Sequence, residues 1–159
     1  MTMIRRLRKG EGLLYREVRL EALKESPDAF LSKYEDALQR SDDSWGKQCD
    51  ASSCGSVKAT FIIEDVEPLA LAAIYRDNDS STQGELLQMW VSPKLRGSGA
   101  AKNLLNSLFK WAAESGLLKV RAEVNRANGQ ALSFYKKFGF VASADYDFNT
   151  TIVLEKKVS

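Results

Sequence analysis

A glycine-rich turn in the middle of the chain is the first place where residue types and spacing could do chemistry. It follows an apolar strand pattern and precedes an apolar helical one. The residues that fit the pattern R-x-x-G-x-G/A are Arg96, Gly97, Ser98, Gly99, Ala100 and Ala101. Small residues let a ligand approach the backbone, and N–H groups at a helix start attract anions. The turn therefore predicts a diphosphate site, with Arg96 and Lys102 adding charge at its rim. A glycine turn without a ligand is the simpler alternative.

Two other phosphate-binding patterns fit this turn less well. The pattern GxxxxGK[ST] requires Gly before Lys and a hydroxyl residue after it, but here Ala101 and Asn103 flank Lys102. The hydroxyl that would bind magnesium is therefore missing. The dinucleotide pattern GxGxxG begins at Gly97 and Gly99, but its third position is Lys102, which obstructs close packing of helix on strand.

The absence of histidine excludes several kinds of catalysis. The count of His is 0, so Ser-His-Asp and Cys-His nucleophiles and a His general base are impossible. Cys49 and Cys54 are five residues apart, which is not the spacing of a redox or zinc pair. We expect no metal, and we interpret both cysteines as free thiols in a polar loop, with a regulatory disulfide as the minor alternative.

Length and composition predict one ordinary globular domain over residues 1–159. The net charge of +2 is too small to indicate nucleic-acid binding. No apolar run approaches the length of a membrane span, and the first residues lack the apolar core of a signal peptide. We therefore expect a cytoplasmic protein with neither a nucleic-acid nor a membrane partner.

Hydrophobic periodicity predicts the elements that must position the turn. The predicted strands are Ile4–Arg8, Val57–Ile63, Leu69–Tyr75, Glu85–Val91, Lys119–Asn125, Phe140–Ala142 and Asn149–Val158. The predicted helices cover Glu11–Lys24, Ala29–Gln39, a stretch from Ala101 to Ala112 and Ala131–Phe138, whereas Ser41–Ser56 reads as a loop or a short frayed helix. This order implies an α/β chain with a mixed sheet and helices on both faces.

Two segments resemble signatures of the GNAT superfamily of N-acetyltransferases. GELLQMWVSPKLRGSGAAKNLL (84–105) is similar to its pyrophosphate-binding segment, and NGQALSFYKKFGF (128–140) is similar to its second signature. RLEALKESPDAF (19–30) looks like the substrate-side helices of small bacterial-type members. The resemblance implies the GNAT fold: a mostly antiparallel, twisted sheet of about six to seven strands, flanked by about four helices.

The resemblance also implies acetyl-CoA as co-substrate. The strand that ends at Met89 and Val91 would splay from its neighbour after Val124, and the pantetheine arm would lie in the gap. Met89 and Val91 would offer backbone groups to that arm, and an N–H near Met89 would stabilise the developing negative charge on the thioester oxygen. The glycine-rich turn would hold the diphosphate, and Asn128 would hydrogen-bond the pantetheine arm.

Acetyl transfer to an amine needs a base, because an alkylamine of pKa ~10.4 is mostly protonated at neutral pH. Glu85 is our candidate, with a solvated strand-end charge as the alternative. Periodicity turns Glu114 and Glu123 away from the buried faces, which makes them weaker candidates. Asp145 and Asp147 are further possibilities.

Tyr135 is the candidate general acid for the departing thiolate. A core aromatic residue beside Phe134 and Phe138 is the alternative. A phenol of pKa ~10 is a weaker acid than a thiol of pKa ~8.5, so full proton transfer is not strongly downhill.

The acceptor amine is the open question. It could belong to a small molecule, a peptide or a protein, and the segments Ser26–Ser56, Asp77–Gln83 and Ser143–Asn149 would select it. Acidic residues in the last two segments could attract a polycation, although solvated loop charge is the simpler explanation. A non-catalytic acyl-CoA-sensing domain and a plain nucleotide-binding module are the rival functions. The resemblance favours a monomer or a homodimer.

Overall fold

The computed structural model describes residues 2–147 and 150–158, and of residues 144–147 it describes the backbone alone. The strands are β1 (Met3–Arg6), β2 (Lys58–Asp65), β3 (Glu67–Arg76), β4 (Gln83–Val91), β5 (Lys119–Asn125), β6 (Val141–Asp147) and β7 (Thr151–Lys157). The helices are α1 (Gly12–Glu25), α2 (Tyr34–Leu38), α3 (Asp42–Ala51), α4 (Ala100–Glu114) and α5 (Gly129–Phe138). Short 3₁₀ turns cover Pro27–Ala29 and Pro93–Leu95.

All seven strands form one sheet in the order β1-β2-β3-β4-β5-β7-β6. Neighbouring strands run antiparallel except for β4 and β5, which are parallel. A parallel pair needs a crossover connection, and α4 supplies it. The predicted mixed, mostly antiparallel sheet is confirmed, and the basic strand β1 lies at one of its edges.

Two hydrophobic cores cover the two faces of the sheet. On one face α4 and α5 bury residues such as Leu104, Leu108 and Tyr135. On the other face α1, α2 and α3 bury residues such as Tyr15 and Trp45, whose rings meet edge to face with centroids 5.4 Å apart. Strand β3 contributes to both cores, as expected for its uninterrupted apolar sequence. The prediction of helices on both faces is confirmed.

The predicted helix Ala29–Gln39 is wrong as a single element. Its first part is exposed, and the backbone at Phe30 is extended (φ −131°, ψ 149°), so that only Tyr34–Leu38 is helical. Ala37 is the one buried residue of α2. The segment therefore has no apolar stripe that could hold a longer helix against the sheet.

The segment Ser41–Ser56 contains the ten-residue helix α3, so of the two predicted alternatives the helix is confirmed, in a longer and capped form, and the loop is wrong. The Ser41 hydroxyl caps α3 by accepting a hydrogen bond from the Ser44 N–H at 3.1 Å. Trp45 and Cys49, one turn apart, are its buried residues. A polar sequence with two buried residues carries a weak periodic signal, which is why the sequence left a loop and a short helix both open. Both cysteines are free, but Cys49 is buried in α3, so its placement in a polar loop is wrong.

Candidate functional site between β4 and β5

The parallel strands β4 and β5 separate part-way along their length. Their pairing runs from Gln83 with Lys119 to Leu86 with Ala122 and ends there. Beyond this point β4 continues to Val91 paired with β3, while β5 remains paired with β7. A gap therefore opens between them, as predicted, but it begins at Ala122 and not after Val124. The backbone of β4 from 87 to 91 borders this gap.

A β-bulge lies where β4 enters the gap. Leu71 pairs with Trp90 and Ala73 with Leu87, so that one residue of β3 faces two residues of β4. Gln88 has a φ of 59°, which is unusual for a residue other than glycine. The Tyr15 hydroxyl donates a hydrogen bond to the Gln88 side-chain oxygen at 2.9 Å and holds this conformation. The bulge re-aims the backbone N–H groups around Met89.

The glycine-rich turn lies at the end of β4 and leads into α4. Gly97 (φ 79°) and Gly99 (φ 83°) both adopt the left-handed conformation that favours glycine, which explains their residue type. Gly99 is the N-cap of α4 and provides no side-chain cap. In the described chain, the N–H groups of Ala100, Ala101 and Lys102 have no acceptor, because they precede the first intrahelical bond. Unpaired donors of this kind are the groups with which helix N-termini bind anions.

The two charged residues at the rim of the turn differ in their surroundings. The Arg96 guanidinium donates from Nε to the Val91 carbonyl at 3.1 Å and forms an ion pair with Glu25 of α1. Lys102 is exposed on the first turn of α4. Ser98 donates its hydroxyl to the Leu95 carbonyl. Arg96 thus contacts both β4 and α1, whereas Lys102 points its charge into solvent.

Tyr135 and Asn128 lie on α5, which packs on the α4 side of the sheet. The Asn128 side-chain oxygen caps α5 by accepting from the Ala131 N–H at 3.1 Å. Tyr135 is 8% exposed, and its ring centroid lies 5.2 Å from that of Phe140. Burial raises the pKa of the Tyr135 phenol well above its ordinary value, so the group stays protonated at neutral pH.

A cavity of about 340 Å³ lies on the opposite side of the gap. Its walls come from α1, the segment after it, β4, β5 and the start of β7, and its lining includes Arg19, Asp28, Phe30, Glu85, Gln88 and Glu123. Glu85 is half-buried. Burial raises the pKa of Glu85, the Arg121 guanidinium opposes this effect, and the carboxylates of Glu123 and Asp77 reinforce it.

One of the other candidate carboxylates, Glu123, lines the same cavity as Glu85. Glu85 pairs with Arg121 in the parallel register, so Glu123, two residues further along β5, lies on the same face as Glu85. Both glutamates line the cavity, so Glu123, the weaker candidate base on periodicity, lies in the same candidate site as Glu85. Because the Glu123 side chain points away from the α4 core, it lies on the face of the sheet that borders the cavity. Glu114 is exposed at the end of α4, and the side chains of Asp145 and Asp147 lie outside the described residues.

Sequence reasoning missed Arg19, which is buried in α1 and lines the same cavity. A signal was present, because Arg19 follows Tyr15 by one helical turn and adjoins Val18. It therefore interrupts the apolar stripe of α1 with a charge, and charged residues are rarely fully buried without a partner.

Within the described ranges, no group of three or more His, Cys, Asp or Glu side chains could hold a metal ion. In those same ranges, no helix combines the length and the apolar character that a membrane crossing requires.

The chain belongs to the acetyltransferase (GNAT) family, whose profile matches residues 18–140. An uncharacterised N-acetyltransferase of Mycobacterium bovis is 36% identical over 69 residues, which is 43% of this chain and 43% of the relative. An uncharacterised N-acetyltransferase of Mycobacterium tuberculosis matches equally. The chain thus matches less than half the length of these curated relatives.

Solved structures share the fold over essentially the whole chain. An acetyltransferase of the GNAT family from Streptococcus pneumoniae superposes with a TM-score of 0.85 at 16% identity and 100% coverage of both chains. The PaiA N-acetyltransferase from Thermoplasma acidophilum, solved in complex with coenzyme A, superposes with a TM-score of 0.76 at 20% identity and 99% coverage of both. The GNAT fold predicted from the two sequence signatures is confirmed.

Proposed function

We propose that this protein transfers the acetyl group of acetyl-CoA to a primary amine by direct attack in a ternary complex. The observation that carries the proposal is the gap between β4 and β5. An uncapped, glycine-rich helix start borders it near the end of β4, and a cavity lined by carboxylates adjoins it. The anionic co-substrate can therefore reach the gap from the side of the glycine-rich turn, and an acceptor with an ammonium group can reach it from the cavity.

In this proposal the β4 backbone at Met89 and Val91 pairs with the pantetheine arm as an added strand would. The N–H groups of Ala100, Ala101 and Lys102 bind the diphosphate, and the flexible backbone at Gly97, Ser98 and Gly99 permits its close approach. The Arg96 guanidinium, which donates to the Val91 carbonyl, lies at the end of β4 beside the turn and adds positive charge near the diphosphate. Asn128 also forms a hydrogen bond with the pantetheine arm of acetyl-CoA in this proposal.

The chemistry requires a neutral amine at the thioester. Glu85, directly or through water, removes a proton from the ammonium group, and its raised pKa brings it nearer to the range of an effective base. The amine nitrogen then attacks the carbonyl carbon, and the N–H groups of the bulge stabilise the oxyanion. The new C–N bond forms as the C–S bond breaks, and the thiolate takes the proton of Tyr135. The second proton of the attacking nitrogen passes through water to the Tyr135 oxygen, which restores the phenol.

A thiol-release assay with acetyl-CoA and an amine panel tests this function. The panel should include amino acids, polyamines, aminoglycosides and peptides, with product masses confirming N-acetylation. Turnover with at least one amine supports the enzyme. Tight CoA binding without any turnover would favour the acyl-CoA-sensing alternative, and tighter binding of ATP than of CoA would favour a nucleotide-binding module.

A further inference from the structure

Arg19 is a buried cation that has no ion-pair partner among the residues that the structure describes. Only 6% of its surface is exposed, and its guanidinium lies over the Phe30 ring at 5.0 Å from the centroid. Its Nη1 has no hydrogen-bond partner among the residues that the structure describes. Burial lowers the pKa of Arg19, which reflects the cost of holding this charge out of water.

Among the described residues, the neighbours of Arg19 do not supply an anion. The titratable groups that act on it are Tyr15, Tyr75 and Arg40, and none of these is a carboxylate. The Tyr15 hydroxyl donates its proton to Gln88, and the Tyr75 hydroxyl accepts from the Gln48 amide at 3.2 Å. A buried guanidinium ordinarily has a carboxylate or an equivalent acceptor. Because Arg19 lines the cavity, a molecule bound there can supply the anion that the described residues do not.

The cavity presents opposite charges on two of its walls. Arg19 on α1 provides the cationic wall, and Glu85 and Glu123 on the adjacent strands β4 and β5 provide the anionic wall. The Thr151 hydroxyl donates to Glu123 at 2.9 Å and fixes its carboxylate. Asp28, on the segment after α1, is exposed at the rim. A volume of about 340 Å³ lies at the small end of ligand cavities, so the occupant is of amino-acid size.

We propose that the acceptor is a small zwitterion, an amino acid that carries a carboxylate besides its reacting amine. The Arg19 guanidinium binds the carboxylate through its planar fork, and the amine lies against the Glu85 side of the cavity, facing the gap between β4 and β5. This assignment rests on the proposed function, because it names the substrate class of that same site. A dication would leave Arg19 unpaired and add a second positive charge beside it.

Matched acceptors test the assignment, because the two members of each pair differ in the charge of the group that would contact Arg19. The pairs are an amino acid with its own carboxamide, and 4-aminobutanoate with 1,4-diaminobutane. The native enzyme should show a kcat/KM at least about 30-fold higher for the acid of the preferred pair, the usual effect of one buried charged hydrogen bond. The same ratio should appear in Kd measured by calorimetry with CoA bound.

Three variants complete the test. Arg19→Met removes the charge at similar length and should bring the acid-to-amide ratio close to 1. Arg19→Lys should restore part of the preference, because it keeps the charge but not the fork. Arg16→Gln, one turn earlier on α1 and outside the cavity lining, should leave the ratio unchanged. Thermal unfolding identifies any variant that fails to fold. Arg19→Met should fold normally, because the methionine side chain can keep an apolar contact with the Phe30 ring and no described carboxylate loses an ion-pair partner.

The outcomes separate the substrate class from the activity. Three results would overturn the zwitterion assignment while leaving acetyl transfer intact. They are a native ratio near 1, a preference for the diamine or for an aminophosphonate analogue over the acid, and an equal loss of kcat/KM for acid and amide in Arg19→Met. Absence of thiol release with every amine would overturn the proposed activity. The calorimetric comparison of acid with amide would then still decide whether Arg19 binds a carboxylate.

Discussion

Glu25, the last residue of α1, forms an ion pair with Arg96 of the glycine-rich turn, and its carboxylate also accepts a hydrogen bond from Trp90 Nε1 at 3.0 Å. One side chain thus connects the acceptor-side helix to the end of β4 and to the proposed diphosphate site. The Ser26 hydroxyl donates to the same carboxylate at 2.6 Å. The Glu25 side chain therefore links α1, the end of β4 and the glycine-rich turn.

Glu25→Gln should lower the free energy of unfolding by about 1 kcal/mol at pH 7. The hydrogen bond from Ser26, followed by those from Trp90 and Arg96, lowers the pKa of Glu25 in the folded state. The stabilisation is therefore present above the unfolded pKa of ~4.3 and is lost as pH falls through the lower folded pKa. Urea unfolding of both proteins from pH 7 to pH 3 measures this. A difference that stays constant down to pH 3 would contradict it.

Gly99→Asp should weaken acetyl-CoA binding at least about tenfold relative to Gly99→Asn. Both variants place a side chain of the same shape at a φ of 83°, a conformation that Asn and Asp tolerate better than other residues. They differ by one negative charge beside the proposed diphosphate. Calorimetry with acetyl-CoA compares them, and equal affinities would remove this turn from the cofactor site.

Tyr135→Phe should lower kcat by roughly ten- to a thousandfold, around or below the usual effect of a general acid. The ring and its contact with Phe140 are retained, so thermal stability should change little. Tyr34→Phe on α2 is a control that removes a hydroxyl from a half-buried tyrosine elsewhere. Steady-state kinetics at saturating acetyl-CoA measures kcat, and an unchanged value would exclude Tyr135 from the mechanism.

Glu85→Gln should abolish the acidic limb of the profile of kcat/KM against pH. Because burial raises the pKa of Glu85, the native limb should lie above the ordinary glutamate value of ~4.3. A raised folded pKa means that ionising Glu85 disfavours the folded state as pH rises, so the variant should be no less stable than the native protein at pH 7. Glu123→Gln is the matched control, and an acidic limb lost only in that variant would make Glu123 the base.

The sequence by itself determined the elements whose signals are local. The apolar stripe of α4, the alternation in β5 and the two signatures were sufficient for the α/β class and the GNAT fold, because periodicity and turn chemistry act over a few residues. For the same reason the weakly patterned α3 could not be told from a loop. Its two buried residues, Trp45 and Cys49, stabilise the helix only when it packs against the sheet.

Only the tertiary structure decided how the site is assembled. Arg19, Glu85 and Glu123 are distant in sequence, and they meet because α1 packs on the face of the sheet to which the parallel register of β4 and β5 directs both glutamates. Register and packing face depend on long-range contacts, and a shift of one residue would reverse every side chain. The proposed diphosphate site could be read from the sequence because its donors are consecutive, whereas the acceptor cavity required the fold.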